Sequence, residues 1–365
     1  MKKTLILGKG TSGEAAARIV RERGGEVEFA EGCELVIASP GIKVVSELQF
    51  GCEELKRRGW KLLAVTGSKG KSSVVKLCAE ALGGVPCGNY GLPVSELARS
   101  VDAANGRWAV VEVSSFQLET TNLAPDTFEA AAILNLQEDH LDRHGSVEVY
   151  HALKRRLLTF AKTAVTDADA NLAWWRPDDA ALYRGSYFDN PVLAANASVA
   201  VALLRAAGLE NDRIAAAFAE FRPLPHRFEL VAELEGVRYI DDSKATSIAA
   251  LIAALKMCPG GKVRLIAGGL AKGDDPHAAI FTLTQSVKKV YTIGNCAETF
   301  SSAWSKTVEC ELCGTLEKAV MKAKREAEKG ETVLLSPGTA SFDQFKSFEE
   351  RGETFARLVQ DKESK

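Results

Sequence analysis

The sequence predicts an α/β protein of three domains built on parallel sheets. Three observations carry this. Short apolar runs repeatedly end in glycine-containing turns and pass into helix-like segments, the order of parallel strands joined by crossover helices. Two of the turns, Gly8-Lys9-Gly10-Thr11-Ser12-Gly13 and Gly67-Ser68-Lys69-Gly70-Lys71-Ser72-Ser73, are phosphate-loop sequences. A stretch with two close prolines, Phe221-Arg222-Pro223-Leu224-Pro225, separates a third run from the second, so the boundaries fall at 1–60, 61–222 and 223–365.

The first domain reads as a small Rossmann-like unit. Thr4–Gly8 is a strand, Glu14 to Arg23 an alanine-rich helix, Val27–Phe29 a second strand, and Leu35–Ala38 a third that ends in Ser39-Pro40-Gly41-Ile42. A lone GxGxxG serves either a phosphate-bearing ligand or tight helix–strand packing. The second strand runs into Ala30 and Glu31, so no acidic residue stands cleanly at its end for a ribose.

The central domain reads as a P-loop ATPase-type parallel sheet. The apolar run Leu62–Val65 enters a two-glycine turn, then Lys71-Ser72-Ser73 and a helix through Leu82. Backbone N–H groups of such a turn close around phosphate oxygens, and the helix N-terminus adds partial positive charge. Lys71 would neutralise outer phosphates, and Ser72 would offer a hydroxyl to Mg²⁺. Only Ser68 and Lys69 separate Gly67 from Gly70, where the Walker pattern has four residues. Trp108–Val113 and Ala130–Leu136 are further strands, the second running into Gln137-Glu138-Asp139-His140. Ligands collect at the carboxyl ends of parallel strands, so Lys71, Ser72, Glu112 and His140 would share a crevice. Glu112 is then a ligand for Mg²⁺ or the partner of a lysine, and His140 a ligand or a loop cap. Tyr150–Phe160 reads as a helix in which Lys154, taken alone, is a solvated charge. The segment from Thr166 to Pro191 is weakly patterned, with a strand signal at Tyr183–Phe188, and a helix follows from Val192 to Ala207.

The third domain is again Rossmann-like, with strands Val237–Ile240, Val263–Ala267, Val290–Ile293 and Val333–Leu335. Chemistry-bearing turns follow three of them: Asp241-Asp242-Ser243-Lys244-Ala245-Thr246, Gly268-Gly269-Leu270-Ala271-Lys272 and Ser336-Pro337-Gly338-Thr339-Ala340-Ser341. Three α/β domains with facing ligand ends suggest an enzyme that closes on several substrates.

Composition removes other classes. A net charge of −2 gives no surface for nucleic acid or membrane. The opening Met1-Lys2-Lys3-Thr4-Leu5-Ile6-Leu7-Gly8 is too short an apolar run for an export signal, and eight scattered cysteines fit a cytoplasmic protein with reduced thiols. Cys310 and Cys313 form a lone CxxC with no second pair, which reads as two thiols in a strand–turn segment.

Taken together, the strings resemble the Mur ligases of peptidoglycan synthesis over almost the whole chain. The resemblance rests on Ser39–Ile42, Thr66–Ser72, Gly88-Asn89-Tyr90-Gly91-Leu92-Pro93, Glu112–Glu119, Leu134–Arg143, Tyr150 with Lys154, Leu224–Glu229, Asp242–Thr246 and Ser336–Phe345. Ser114-Ser115-Phe116-Gln117-Leu118-Glu119 and the Asp343-Gln344-Phe345 ending separate the D-glutamate-adding branch from its sisters. The resemblance implies ATP and Mg²⁺ as cofactors, with UDP-N-acetylmuramoyl-L-alanine and D-glutamate as substrates of a monomer. It implies ATP contacts from Gly67, Ser68, Lys69, Gly70, Lys71, Ser72, Ser73, Asn196, Arg227, Asp242 and Lys244. Mg²⁺ would be held by Ser72, Glu112, His140 and a carbamylated Lys154; with Lys71, the last three are the catalytic set. The acceptor would meet Gly10, Thr11, Ser12, Gly41, Ile42, Asn89, Ser114 and Gln117. D-glutamate would meet Thr246, Lys272, Ser341 and Phe348. The implied reaction passes through an acyl phosphate; a related ligase with another carboxylate acceptor is the alternative.

The chain departs from the family pattern in its short first domain, which lacks a segment between Ala30 and Cys33, and in a cut between Thr166 and Pro191. Lys69 stands where asparagine is common, and no His-Asn pair precedes Asn196. In Gly268-Gly269-Leu270-Ala271-Lys272, alanine precedes the lysine where an acidic residue is frequent.

Overall fold

The computed structural model describes residues 3–31, 44–100, 107–137, 140–166, 177–258, 262–271 and 273–361. The chain divides into two compact units, Met1–Asp189 with Leu193–Phe221, and Asn190–Val192 with Arg222–Lys365.

The first unit opens with β1 (Lys3–Leu7) and β2 (Glu26–Ala30), paired in parallel and joined by the helix Thr11–Glu22. A Cβ at Gly13 would overlap the Gly8 carbonyl, so the glycine turn does serve close packing of helix on strand. Among the described residues no other strand joins this pair, and Leu5 and Leu7, alternate residues of one face, stay exposed. The strand read at Leu35–Ala38 lies outside the described residues.

The helix Glu47–Arg57 follows, capped by Ser46 and packed through Leu48, Cys52 and Leu55 against Trp60. Its buried Glu54 accepts from Arg57 (2.8 and 2.7 Å) and Arg58 (2.8 Å) and pairs with Arg23 beyond the end of the helix Thr11–Glu22. These guanidinium groups, that of Arg57 foremost, hold its carboxyl down from 4.5 to about 2. A depressed carboxyl stabilises the fold fully above its unfolded value, and that stabilisation fades as pH falls through the folded one. Glu54→Gln is therefore expected to cost about 1–2 kcal/mol at pH 7, the solvated arginines screening the rest. Urea unfolding should show the gap between variant and parent closing between about pH 5 and about pH 2; a gap independent of pH would refute the clamp.

Five parallel strands form the unit's main sheet: β3 (Lys61–Thr66), β4 (Val85–Gly88), β5 (Trp108–Glu112), β6 (Phe128–Ile133) and β7 (Ala161–Thr166), in spatial order β4-β5-β3-β6-β7. Leu62, Leu63, Ala64 and Val65 of the central strand are wholly buried, as an apolar run covered on both faces must be. From β3 the chain passes to β4 on one side and returns through β6 on the other, so the strand order reverses at the carboxyl end of β3. The edges β4 and β7 gave no clear strand signal. Pro86 is tolerated in β4 because an edge strand leaves one row of amides unpaired.

Tyr183–Phe188 is not a strand. Tyr183 ends the short helix Ala180–Tyr183 and turns follow. The apolar signal there is core filling: Tyr183 and Phe188 pack on Phe218 (ring centres 5.7 and 5.3 Å), and Phe188 also on Phe221 (5.0 Å), beside the helices Ala194–Ala206 and Asn211–Glu220. The helix read at Tyr150–Phe160 spans Val147–Arg156 and tightens into a 3₁₀ turn at Leu157–Phe160.

The second unit carries β8 (Glu229–Leu234), β9 (Val237–Asp241), β10 (Val263–Gly268), β11 (Val287–Ile293), β12 (Glu309–Gly314) and β13 (Thr332–Leu335), ordered β12-β11-β10-β13-β9-β8. The four interior strands are those read from the sequence. The two edges were not in that set: β8 is antiparallel, turned back at Glu235 and Gly236 (φ 54° and 79°), and β12 carries Glu309 and Glu311, both paired with Lys289. Cys310 and Cys313 lie in β12, and both are free thiols. No helix among the described residues is long and apolar enough to cross a membrane.

Candidate active site

The loop after β3 is held from below. Gly67 (φ 149°) and Gly70 (φ 84°) take backbone conformations that favour glycine, and a Cβ at Gly70 would overlap the side-chain amide of Asn196. Asn135, just past β6, acts on the loop like a second peptide group. Its Oδ1 accepts from Lys69 N (2.8 Å), its Nδ2 donates to Lys69 O (2.9 Å) and to Asn196 Oδ1 (3.3 Å), and its carbonyl accepts from Ser68 N (3.0 Å). Asn196 therefore lies under the loop, while the Lys69 side chain stays exposed. Ser68 Oγ is tied to Gln137 and to the Tyr150 hydroxyl (3.1 Å). Lys71 opens the helix Lys71–Leu82, and its Nζ donates back to Gly67 O (2.9 Å) and Ser68 O (3.2 Å). Ser72 and Ser73 stand in the first turn of that helix.

Glu112 and Lys154 flank this loop. Glu112, 2% exposed at the end of β5, accepts from Asn89 Nδ2 through Oε1 (2.7 Å), while its buried Oε2 has no hydrogen-bond partner. Lys154, also 2% exposed, donates to Gly67 O (3.0 Å) and lies over the Tyr150 ring (4.6 Å). An orphaned buried carboxylate oxygen near a phosphate loop and serine hydroxyls makes a hard, oxygen-rich donor set, which fits Mg²⁺. Lys154 as an ammonium does not fit a cation; as a carbamate it would. His140 is exposed, takes a left-handed conformation (φ 53°) before the helix Leu141–His144, and its ring lies 6.2 Å from that of Tyr150.

The helix Ser115–Thr120 follows β5 and starts with a capping box. Ser114 Oγ accepts from Gln117 N (3.2 Å), and Gln117 Oε1 accepts from Ser114 N (2.9 Å). Both residues assigned to the acceptor thus shape the turn beside Glu112. Gly10, Thr11 and Ser12 form the exposed N-terminus of the helix Thr11–Glu22. Gly41 and Ile42 lie outside the described residues, as does Lys272.

In the second unit, the turns after β9 and β13 are knotted together by Arg351. This arginine, 1% exposed on the helix Phe348–Gln360, donates to Ser243 Oγ (2.9 Å) and to the carbonyls of Ser243 (2.9 Å), Thr339 (3.2 Å) and Ala340 (3.3 Å). Burial lowers its pKa to about 10. Ser243 Oγ donates in turn to Phe348 O (2.8 Å), and Lys244 Nζ sits 3.7 Å from the Phe348 ring centre. Ser341 and Thr339 have buried hydroxyls without partners. Thr246 lies in the same turn as Lys244. Asp242 accepts from Ser336 Oγ (2.9 Å) and from Phe228 N (3.1 Å), next to Arg227 in the chain; burial pushes its carboxyl up to about 7 against the pull of these donors.

Sequence reading missed Arg351 and Asn135 as site-shaping residues. Arg351 had a signal: with Phe355 and Val359 it falls at i, i+4 and i+8, the buried stripe of its helix. Asn135 had none beyond its place after a strand.

A phosphate loop with an inward lysine, a buried carboxylate beside it and a separate α/β unit of polar strand-end turns suit an enzyme that cleaves a nucleotide. Two family models match, the Mur ligase middle domain over residues 65–178 and the Mur ligase glutamate ligase domain over residues 226–339. Among curated relatives, the UDP-N-acetylmuramoylalanine–D-glutamate ligase of Myxococcus xanthus is 34% identical (98% of both chains covered). That of Acidobacterium capsulatum is 32% identical (98% of this chain, 96% of the relative). The chain belongs to the Mur ligase family, in the branch of the UDP-N-acetylmuramoylalanine–D-glutamate ligases. Those alignments run over 456 and 450 positions against 365 residues here, so the relatives carry segments that this chain lacks. A solved MurF ligase from Thermotoga maritima in complex with ADP shares the fold (TM-score 0.62, 19% identity, 98% and 93% covered). MurC of the same organism does too (TM-score 0.59, 17% identity, 98% of both).

Proposed function

We propose that the protein joins D-glutamate to UDP-N-acetylmuramoyl-L-alanine with cleavage of ATP to ADP and phosphate. The observation that carries the reading is the Lys71 loop lying beside the orphaned carboxylate of Glu112. The acceptor's alanyl carboxylate attacks the γ-phosphorus of ATP, ADP departs, and an acyl phosphate results. The amine of D-glutamate then attacks the acyl carbon, and phosphate leaves as the amide forms. Lys71 Nζ, already placed among the loop carbonyls, turns to the outer phosphates, and the N–H groups that Asn135 does not engage, from Gly70 into the first turn of the helix, hold them. Ser72, Glu112, His140 and a carbamylated Lys154 would hold Mg²⁺. Bound there, it would neutralise charge building on the transferred phosphoryl group. In the second unit, Arg227, Asp242 and Lys244 are read for the nucleotide, and Thr246, Lys272, Ser341 and Phe348 for D-glutamate. The unpartnered Ser341 hydroxyl supports a polar ligand there. Gly10, Thr11, Ser12, Gly41, Ile42, Asn89, Ser114 and Gln117 are read for the acceptor.

We further propose domains 1–60, 61–222 and 223–365 in a cytoplasmic monomer. A second reading, a related ATP-dependent amide ligase with a different carboxylate acceptor, is favoured by the segments absent relative to kin. Phosphate release from ATP with UDP-N-acetylmuramoyl-L-alanine tests both. D-glutamate should support release and L-glutamate should not, with the dipeptidyl product seen by mass spectrometry. Turnover only with a truncated acceptor would select the second reading.

A further inference from the structure

His144 takes no part in the chemistry above, yet it is buried (8% exposed) at the centre of the first unit's site. Its Nε2 lies 3.0 Å from Ser115 Oγ, and its Nδ1 lies 3.2 Å from Glu119 Oε1. Glu119 is gripped from outside by Arg143 (2.7 Å). Hydroxyl, imidazole and carboxylate stand in the order of a nucleophilic relay. Burial rules that use out: Ser115 is 2% exposed, and no substrate carbonyl can reach its oxygen. The hydrogen bonds lead elsewhere. Ser115 is the first residue of the helix capped by Ser114 and Gln117. The His144 ring lies edge-on to that of His140 (ring centres 6.5 Å apart), and the backbone N–H of His144 closes the turn onto the carbonyl of the left-handed His140 (3.0 Å). The His144 ring also lies 5.5 Å from that of Tyr150, whose hydroxyl reaches Ser68 in the phosphate loop.

We propose that His144 is the positioning residue that couples the acceptor-side cap to His140 and, through Tyr150, to the phosphate loop. This rests on the ligase reading for the roles of Ser114, Gln117 and His140. With Nε2 hydrogen-bonded to Ser115 Oγ and Nδ1 3.2 Å from the Glu119 carboxylate, the imidazole holds two helices at one spacing. Losing those bonds shifts the cap and the His140 turn together.

The test is His144→Phe, which keeps the ring packing and removes both polar contacts, beside His144→Asn, which keeps a polar group between Ser115 and Glu119. In His144→Phe, the KM for UDP-N-acetylmuramoyl-L-alanine and the half-saturating Mg²⁺ concentration should both rise about tenfold, with kcat at saturation falling less than about threefold. His144→Asn should recover most of the loss. Calorimetry of ADP binding with and without Mg²⁺ gives a readout independent of turnover: the gain that Mg²⁺ brings to ADP affinity should shrink in the phenylalanine variant. A drop in thermal stability with unchanged KM, Mg²⁺ dependence and ADP binding would overturn the proposal. If the parent releases no phosphate with D-glutamate, the ligase reading fails, and the calorimetric comparison still decides the role of His144.

Discussion

Replacing Lys71 by alanine is expected to lower ATP cleavage by about 10³-fold while the fold persists. The ammonium group is held inside the phosphate loop by the carbonyls of Gly67 and Ser68, so its removal takes away charge and leaves no apolar cavity. In phosphoryl transfer, catalysis is mostly positioning and charge stabilisation, and a lysine at this place faces the oxygens on which charge collects. Arginine should not substitute: its planar fork is longer and cannot occupy the site of a point charge between two carbonyls. Single-turnover phosphate release measures the effect, with thermal unfolding confirming that the variant folds. A variant within tenfold of the parent would remove Lys71 from the reaction and the phosphate-loop assignment with it.

The second large effect is expected at Arg351. Methionine fills much of the same volume but leaves the carbonyls of Ser243 and Thr339 to find other donors inside the protein, while Ala340 O keeps the Leu270 N–H and the Ser243 hydroxyl keeps Phe348 O. An unsatisfied buried acceptor costs about 1–3 kcal/mol, so Arg351→Met should lose at least about 3 kcal/mol of the second unit's stability. The same change frees the turns that carry Ser243, Lys244 and Ser341, so the KM for D-glutamate should rise at temperatures where the variant remains folded. Chemical denaturation followed by hydrogen exchange in the turns after β9 and β13 separates the two effects. A loss below about 1 kcal/mol would mean that water replaces the guanidinium and that the knot is not structural.

How much was legible in the sequence depended on what each residue had to satisfy. Interior strands must be apolar on both faces, and β3, β5, β6 and the four inner strands of the second sheet stood out for that reason. Edge strands must resist further pairing and carry charge or proline, as Pro86 and Glu309 do, and this blurs their signal. Tyr183 and Phe188 misled because aromatic density looks the same in a strand as in a packed turn. At the site, Lys71 and Ser72 were legible from local geometry, since the loop and its lysine are contiguous. Asn135, His144 and Arg351 act across 66, 29 and 108 residues of sequence respectively, and nothing in their immediate neighbours announces the partner. Glu112 lay between: a carboxylate ending a buried strand was conspicuous, but its free oxygen is a fact of the folded state.

The amide of Asn135 has a consequence for the energetics of nucleotide capture. A glycine loop free to sample many shapes would lose that freedom whenever phosphate arrived, and affinity would fall by the entropy lost. Here Asn135 fixes both the N–H and the carbonyl of Lys69, so much of the ordering is completed during folding rather than at each encounter. Nucleotide affinity is thereby linked to how firmly the end of β6 is anchored. Loosening β6 far from any phosphate would weaken binding even though every group that touches the nucleotide is still present.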